Sequence, residues 1–116
     1  MAEFMMIICD NEIEKGEVSV EVTREHYEKV GEWWNEHEKA GRILPGGRRL
    51  RETSTAMTVR LTKGQPVMIS DGPFAETKEQ VGGFGILSVP DMQAAVDLVS
   101  TWPGLAETIE IRPIAG

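Results

Sequence analysis

The stretch from Asp71 to Phe84 constrains this chain more than any other. It sets Gly72, Pro73, Gly82 and Gly83 beside the ionisable Asp71, Glu76, Lys78 and Glu79. Before it, Val67 to Ile69 is an apolar run that reads as a strand. Gly72 takes backbone angles that other residues avoid, and Pro73 pushes it away from the right-handed helical region. Pro73 has its own φ fixed and suits the first position of a helix. The spacing predicts a short helix over Ala75 to Val81, ended by Gly82-Gly83, since glycine is the usual residue just past a helix C-terminus. The segment thus reads as strand, sharp turn, short helix, glycine exit, strand.

The rest of the chain supplies one domain, residues 1–116, which is long enough for a core without staples. A single cysteine, Cys9, excludes an internal disulfide and a cysteine-based metal cage. The N-terminal apolar run, Phe4 to Cys9, is too short for a signal peptide or a membrane span, and a cytoplasmic location is expected. Nineteen acidic residues against twelve basic ones give a net charge of −7. That excludes a basic nucleic-acid surface and serves solubility.

Phe4 to Cys9 has the length of a strand covered on both faces. Glu12 to Glu21 reads as a loop, or as a weak strand around Val18, Val20 and Val22. Thr23 is placed as the N-cap of a long helix that Gly41 stops, with Tyr27, Val30, Gly31 and Trp34 on one face. Ile43-Leu44 opens a strand that Pro45-Gly46-Gly47 assigns to a sheet edge or a bulge. Thr55 to Leu61 alternates as a half-buried strand, and Val67 to Ser70 returns antiparallel. Phe84 to Val89 is another strand. Asp91 caps a second helix whose stripe is Met92, Ala95, Val96 and Val99. Thr108 to Arg112 is the last strand, with Ile109 and Ile111 inward. The order predicts an α+β, ferredoxin-like βαββαβ layout with an inserted β-hairpin and short helix, and helices on one sheet face. A second subunit is the economical cover for the other face, so a homodimer packed sheet to sheet is expected.

Asp71-Gly72-Pro73-Phe74-Ala75-Glu76-Thr77-Lys78-Glu79-Gln80-Val81-Gly82-Gly83 resembles the signature of the DGPF branch of the YCII-related family. The likeness extends over Phe84 to Pro90, the second helix, the closing Glu110-Ile111-Arg112-Pro113 and the first strand. The resemblance implies a dimeric α/β-barrel with a ferredoxin-like protomer. For the wider group it implies a His–Asp catalytic pair and, in some members, action on small organic acids. For some DGPF proteins it implies products encoded beside alternative sigma factors, and so a link to transcription. The sequence departs from the pattern at Gly46-Gly47-Arg48-Arg49-Leu50, where many relatives carry an acidic residue between small ones.

Several residues are candidates for chemistry. Asp71, on a stiff turn at a strand end, is placed as a general base or substrate-orienting carboxylate; capping of the following turn is the competing role. His26 and His37 are the other candidate catalytic groups, able to act as bases near neutral pH. They lie about 16 Å apart along one helix and cannot share a metal in one subunit. His37, beside Val30 and Trp34, also reads as a packing histidine. Arg48 is a candidate ligand for a carboxylate, with Arg49 and Arg51 beside it in the cluster. Gly72, Pro73, Phe74, Glu76 and Lys78 complete the candidate substrate-binding set. No metal site, dinucleotide fingerprint, Walker loop or nucleophile elbow is present, and no cofactor is expected.

The reading that follows is a small anionic organic molecule held near the Asp71 turn, with cofactor-free acid–base chemistry of a lyase or hydrolase kind. The competing reading is a non-catalytic regulatory or sensing partner of the transcription machinery. Cofactor-free oxidation stands third, on fold analogy alone.

Overall fold

The computed structural model describes residues 1–116. Its centre is β1 (Ala2–Asn11), flanked by β5 (Glu79–Val89) on one side and β6 (Glu107–Pro113) on the other. β2 (Ile43–Arg49) extends the sheet beyond β5, giving the order β2-β5-β1-β6 with every pair antiparallel. Two further strands, β3 (Met57–Arg60) and β4 (Met68–Asp71), form a separate two-stranded sheet. The helices are a short α1 (Glu12–Gly16), the long α2 (Val20–Lys39) and α3 (Met92–Val99), with a single 3₁₀ turn at Thr53–Thr55. This is the expected α+β, ferredoxin-like arrangement.

Alternation along the strands sets the core. Phe4, Met6 and Ile8 of β1, Ile43 of β2, and Leu87 and Val89 of β5 point to one face, where they pack with Trp33 of α2 and Ala95 and Leu98 of α3. Met5, Ile7, Cys9, Phe84, Ile86 and Leu44 lie on the opposite face, only half-buried. β2 is an edge strand whose register shifts between Leu44 and Arg48, as Pro45-Gly46-Gly47 predicts.

Several local expectations are corrected. The cap of α2 lies four residues before Thr23: it is Ser19, its Oγ accepting from the Val22 N–H at 3.2 Å. Thr23 lies inside the first turn, donating to the Ser19 carbonyl at 3.0 Å. Val20 and Val22 are therefore helical, and the polar run before them holds α1 rather than a strand. On α3 the cap is Asp91 as expected, yet Ala95 and Leu98 are the buried positions, while Met92 and Val96 are substantially exposed.

The short helix over Ala75–Val81 does not form. Seven residues make a marginal helix in isolation, whereas extended pairing along β1 begins at Glu79 opposite Asn11. The segment before it is irregular. There Gln80 Nε2 donates to the carbonyls of Ala75 and Thr77, at 2.8 and 3.3 Å. Gly82 and Gly83 consequently lie within β5, not at a helix end. The ladder shifts between Ile8 and Cys9, leaving Gly82 as the unpaired residue of a β-bulge.

The β3–β4 hairpin stands away from the main sheet. The radius of gyration is 16.1 Å, and the extents are 47 × 41 × 20 Å; a compact chain of this length has about 13 Å. The strand over Thr55–Leu61 is not half-buried in the chain: Met57, Val59 and Leu61 are exposed, as are Val67, Met68, Ile69 and Phe74.

Candidate functional site

Asp10 is the last inward residue of the series Phe4, Met6, Ile8, Asp10, and Glu107 lies two residues before Ile109 in the inward series that continues to Ile111. Both carboxylates thus fall in the core-facing register of adjacent strands, and the ladder sets them directly opposite each other. Like charges so placed repel. Lys15 resolves the conflict: α1 brings its Nζ to 2.6 Å from Asp10 Oδ1 and 3.0 Å from Glu107 Oε2. Its third proton goes to the Tyr27 hydroxyl at 3.2 Å. All three donors of the ammonium are used, so Lys15 fixes the two carboxylates in place. Its side chain and that of Asp10 are 16% and 18% exposed, and that of Glu107 only 1%.

Glu107 is anchored further. The Trp102 indole N–H donates to Oε1 at 2.8 Å and the Ala106 N–H to Oε2 at 2.9 Å. Burial opposes its charge, but these bonds and then Lys15 outweigh it and hold the carboxyl below its usual value. Burial likewise pulls Lys15 down, yet its hydrogen bonds to Asp10, Glu107 and Tyr27 prevail and leave it raised. His26 faces the same carboxylate: Nε2 lies 3.4 Å from Glu107 Oε1, too poorly aimed for a hydrogen bond, and has no other partner. Burial lowers the His26 pKa, helped by the Lys15 charge. The Glu107 charge and a hydrogen bond to the Pro103 carbonyl work against this without prevailing.

These shifts fix the pH response of stability. His26 is lowered in the fold, so the unfolded chain takes up its proton first; its contribution is full above about pH 6.5 and falls as pH drops towards the folded value. Glu107 is also lowered, so its contribution is full above about pH 4.3 and is lost as pH falls through the folded value. Lys15 is raised, so its contribution is full below about pH 10.4 and is lost as pH rises through the folded value. Burial, with the charges of Glu79, Glu110 and Asp10, also raises Cys9, whose contribution is lost as pH rises past about 8.5, so urea midpoints should be flat only from about pH 7.5 to 8 and decline below about 6.5. His26→Gln should remove the first part of that decline; an unchanged acid limb in this variant would take His26 out of the linkage.

Above this cluster lies a chamber of about 340 Å³ between α2 and the sheet. Its walls include Trp34, Trp102 and Tyr27, and its floor is Gly47, Gly82 and Gly83. Two of these glycines make room for the walls themselves: a Cβ on Gly47 would lie 2.7 Å from the Phe84 carbonyl and meet the Trp34 ring, and one on Gly82 would collide with the Asp10 carboxylate. A broader outer depression of about 500 Å³ shares Asp10, Lys15, Tyr27 and Arg49 with the chamber and adds Glu12, Arg51 and Glu52. Glu12 ties its rim together, accepting from the Thr53 N–H and hydroxyl at 3.0 and 2.7 Å. The Arg49 guanidinium stacks over the Tyr27 ring at 3.6 Å and has no carboxylate partner.

The structure brings together only some of the residues singled out in the sequence. His26 is at the chamber. Arg48 touches its rim but stands opposite Phe84 in the ladder, so its side chain is set towards the other sheet face. Arg49, one position on, is the arginine on the chamber side. His37 is packed elsewhere, edge-on to Trp33 at 4.7 Å, with Arg42 3.0 Å from Nδ1. Asp71 ends β4, exposed, and borders neither chamber nor depression. Gly72 has φ +87, as the turn requires, its N–H donating to the Ala56 carbonyl at 2.7 Å. Pro73, Phe74, Glu76 and Lys78 follow in the irregular segment; Phe74 is 75% exposed. No group of three or more His, Cys, Asp or Glu side chains is arranged to hold a metal ion.

The model of the YCII-related domain matches residues 2–115. The chain belongs to the YCII-related family. It is also 36% identical over 80 residues to an uncharacterized protein of Rhizobium meliloti (strain 1021), an alignment covering 66% of this chain. The matched part is 63% of that relative's length. For this YCII-related chain the family match spans nearly the whole length.

Proposed function

We propose that the chain binds a small anionic organic molecule in the chamber over Asp10, Lys15, His26 and Glu107, and that cofactor-free acid–base chemistry takes place there. The observation that carries this reading is Arg49, a guanidinium without a carboxylate partner at the junction of the two hollows, in a chain of net charge −7. Arg42, Arg48, Arg51 and Arg60 also lack a carboxylate partner, but Arg49 is the one held over the Tyr27 ring on the chamber side, where a ligand carboxylate can pair with it. The volume is at the small end of ligand sites. Small carboxylates titrated against tryptophan fluorescence should bind the wild type at least tenfold more tightly than Arg49→Gln, a factor worth about 1.4 kcal/mol. Equal affinities would end the proposal.

We also propose that the chain works as a cytoplasmic homodimer, which gives the exposed hairpin apolar surface a partner. In that assembly Asp71, Gly72, Pro73, Phe74, Glu76 and Lys78 would serve the site from a neighbouring copy, with Arg48 turned to the shared sheet face. Light scattering at micromolar concentration should give twice the chain mass; a monomer with full ligand affinity would remove the hairpin from the site. The regulatory reading, a protein partner linked to transcription, draws on the same exposed residues, Met57, Val59, Met68 and Ile69. A monomeric mass and no carboxylate binding together would favour it. No helix is long and apolar enough to cross a membrane.

A further inference from the structure

The hairpin of β3 and β4 has two unlike faces. The ladder sets Val59 opposite Ile69 and Met57 opposite Asp71, so these four share one face. Alternation continues that face through Leu61 and Val67 at the tip. Thr58, Arg60, Met68 and Ser70 take the other face. This second face is engaged within the chain: the Thr58 hydroxyl donates to the Gly72 carbonyl at 2.7 Å, and Arg60 Nη2 donates to the Phe74 carbonyl at 3.1 Å. The turn at Gly72 is thus tied to the polar face, and the apolar face is left bare. Met57, Val59, Leu61, Val67 and Ile69 are 61%, 53%, 77%, 59% and 65% exposed. A two-stranded hairpin is marginal on its own in water, so such a face needs cover.

The charge distribution points to a second copy of the chain. Met57 to Asp71 holds Arg60, Lys63 and Asp71, a net +1 in a chain of −7, which leaves −8 on the remainder. Two such bodies repel each other, while the hairpin of one is drawn to the body of the other. The area suffices as well. Burying an apolar side chain of this size removes about 60–120 Å² from water, so two partly exposed faces and the surfaces they cover come to about the 1,000 Å² that a specific interface needs. We propose that the hairpin is an arm whose face of Met57, Val59, Leu61, Val67 and Ile69 lies on the acidic body of a second copy, reciprocally about a two-fold axis. This rests on the homodimer reading above and names the face that makes the contact.

Peroxide oxidation of the full wild-type chain, read by peptide mass, reports the face directly. Met57 and Met68 are 61% and 65% exposed and lie on opposite faces of the hairpin. At dilutions that give a single chain mass, both should oxidise at similar rates. At concentrations that give twice that mass, Met57 should slow several-fold while Met68 keeps its rate. Val59→Thr with Ile69→Thr keeps strand-favouring residues at exposed positions and should raise the dimer dissociation constant about tenfold or more in a light-scattering dilution series. Lys63→Glu should raise it several-fold in about 0.01 M salt and barely at about 1 M. The methionine comparison needs no substitution, so it stands even if a variant folds poorly. Protection of both methionines or of neither in a wild-type dimer overturns the arm contact, as does an unchanged dissociation constant in the threonine variant; the homodimer itself survives either result. No effect of Lys63→Glu at low salt overturns the placement on the acidic body. A single chain mass at every concentration overturns the homodimer reading as well.

Discussion

Glu107→Ala should be the most damaging single substitution outside the apolar core, costing about 3–5 kcal/mol of folding stability. The reason is what it leaves behind. Lys15 loses its 3.0 Å contact and faces Asp10 alone in a setting where its side chain is 16% exposed. The Trp102 indole N–H and the N–H groups of Leu105 and Ala106 lose their acceptors. The unsatisfied groups, more than the lost bridge, carry the cost, because a buried ion pair returns little beyond its desolvation. Glu107→Gln, which keeps an acceptor for these N–H groups, should consequently be less destabilised than Glu107→Ala. Urea denaturation of the two proteins decides it. A loss below about 1 kcal/mol for Glu107→Ala would mean that the cluster is solvated and that the chamber's inner charge is not preorganised.

Gly82→Ala should unsettle both the fold and the site. The bulge turns Gly82 towards Asp10, and a methyl group there would occupy the position of the carboxylate. Asp10 cannot swing away freely, since Lys15 holds it at 2.6 Å. Overpacking of this kind costs about 1–3 kcal/mol, and carboxylate binding should fall with it because the chamber floor is displaced. Gly16→Ala is the matched control: no atom lies within 4 Å of the place its methyl group would take, and stability should change by no more than about 0.5 kcal/mol. If collision is the cause, Asp10→Ala should add little on top of Gly82→Ala, a coupling that a double-mutant cycle measures. Wild-type stability in Gly82→Ala would show that the bulge can relax and that the glycine is not required by Asp10.

Much of the site could have been read from the chain by extending one rule. The alternation that buries Phe4, Met6 and Ile8 reaches Asp10 at the next inward position, and counting back from Ile111 and Ile109 reaches Glu107. A carboxylate in an inward register at a strand end needs a partner, and that signal is local. Lys15 carried no such mark, because its place depends on a five-residue helix in a polar run. Asp71 drew notice for the opposite reason. Its turn is written strongly in the sequence, with Gly72 at φ +87 as expected, yet a well-specified turn can stand on an exposed hairpin as easily as beside a cavity.

The sequence by itself determined the α+β order, the inward pair Ile109 and Ile111 of the last strand, the edge or bulge at Pro45-Gly46-Gly47 and the sharp turn at Gly72. Each of these follows from periodicity or from the backbone limits of glycine and proline, which act within a few residues. Tertiary structure alone decided that Ala75–Val81 is not a helix, that Gly82 makes room for Asp10, and that Arg49 rather than Arg48 lies on the chamber side. Those outcomes turn on ladder register across β1, β2 and β5. Register is set by how distant strands fit together, and a shift of one residue moves a side chain to the other face of the sheet.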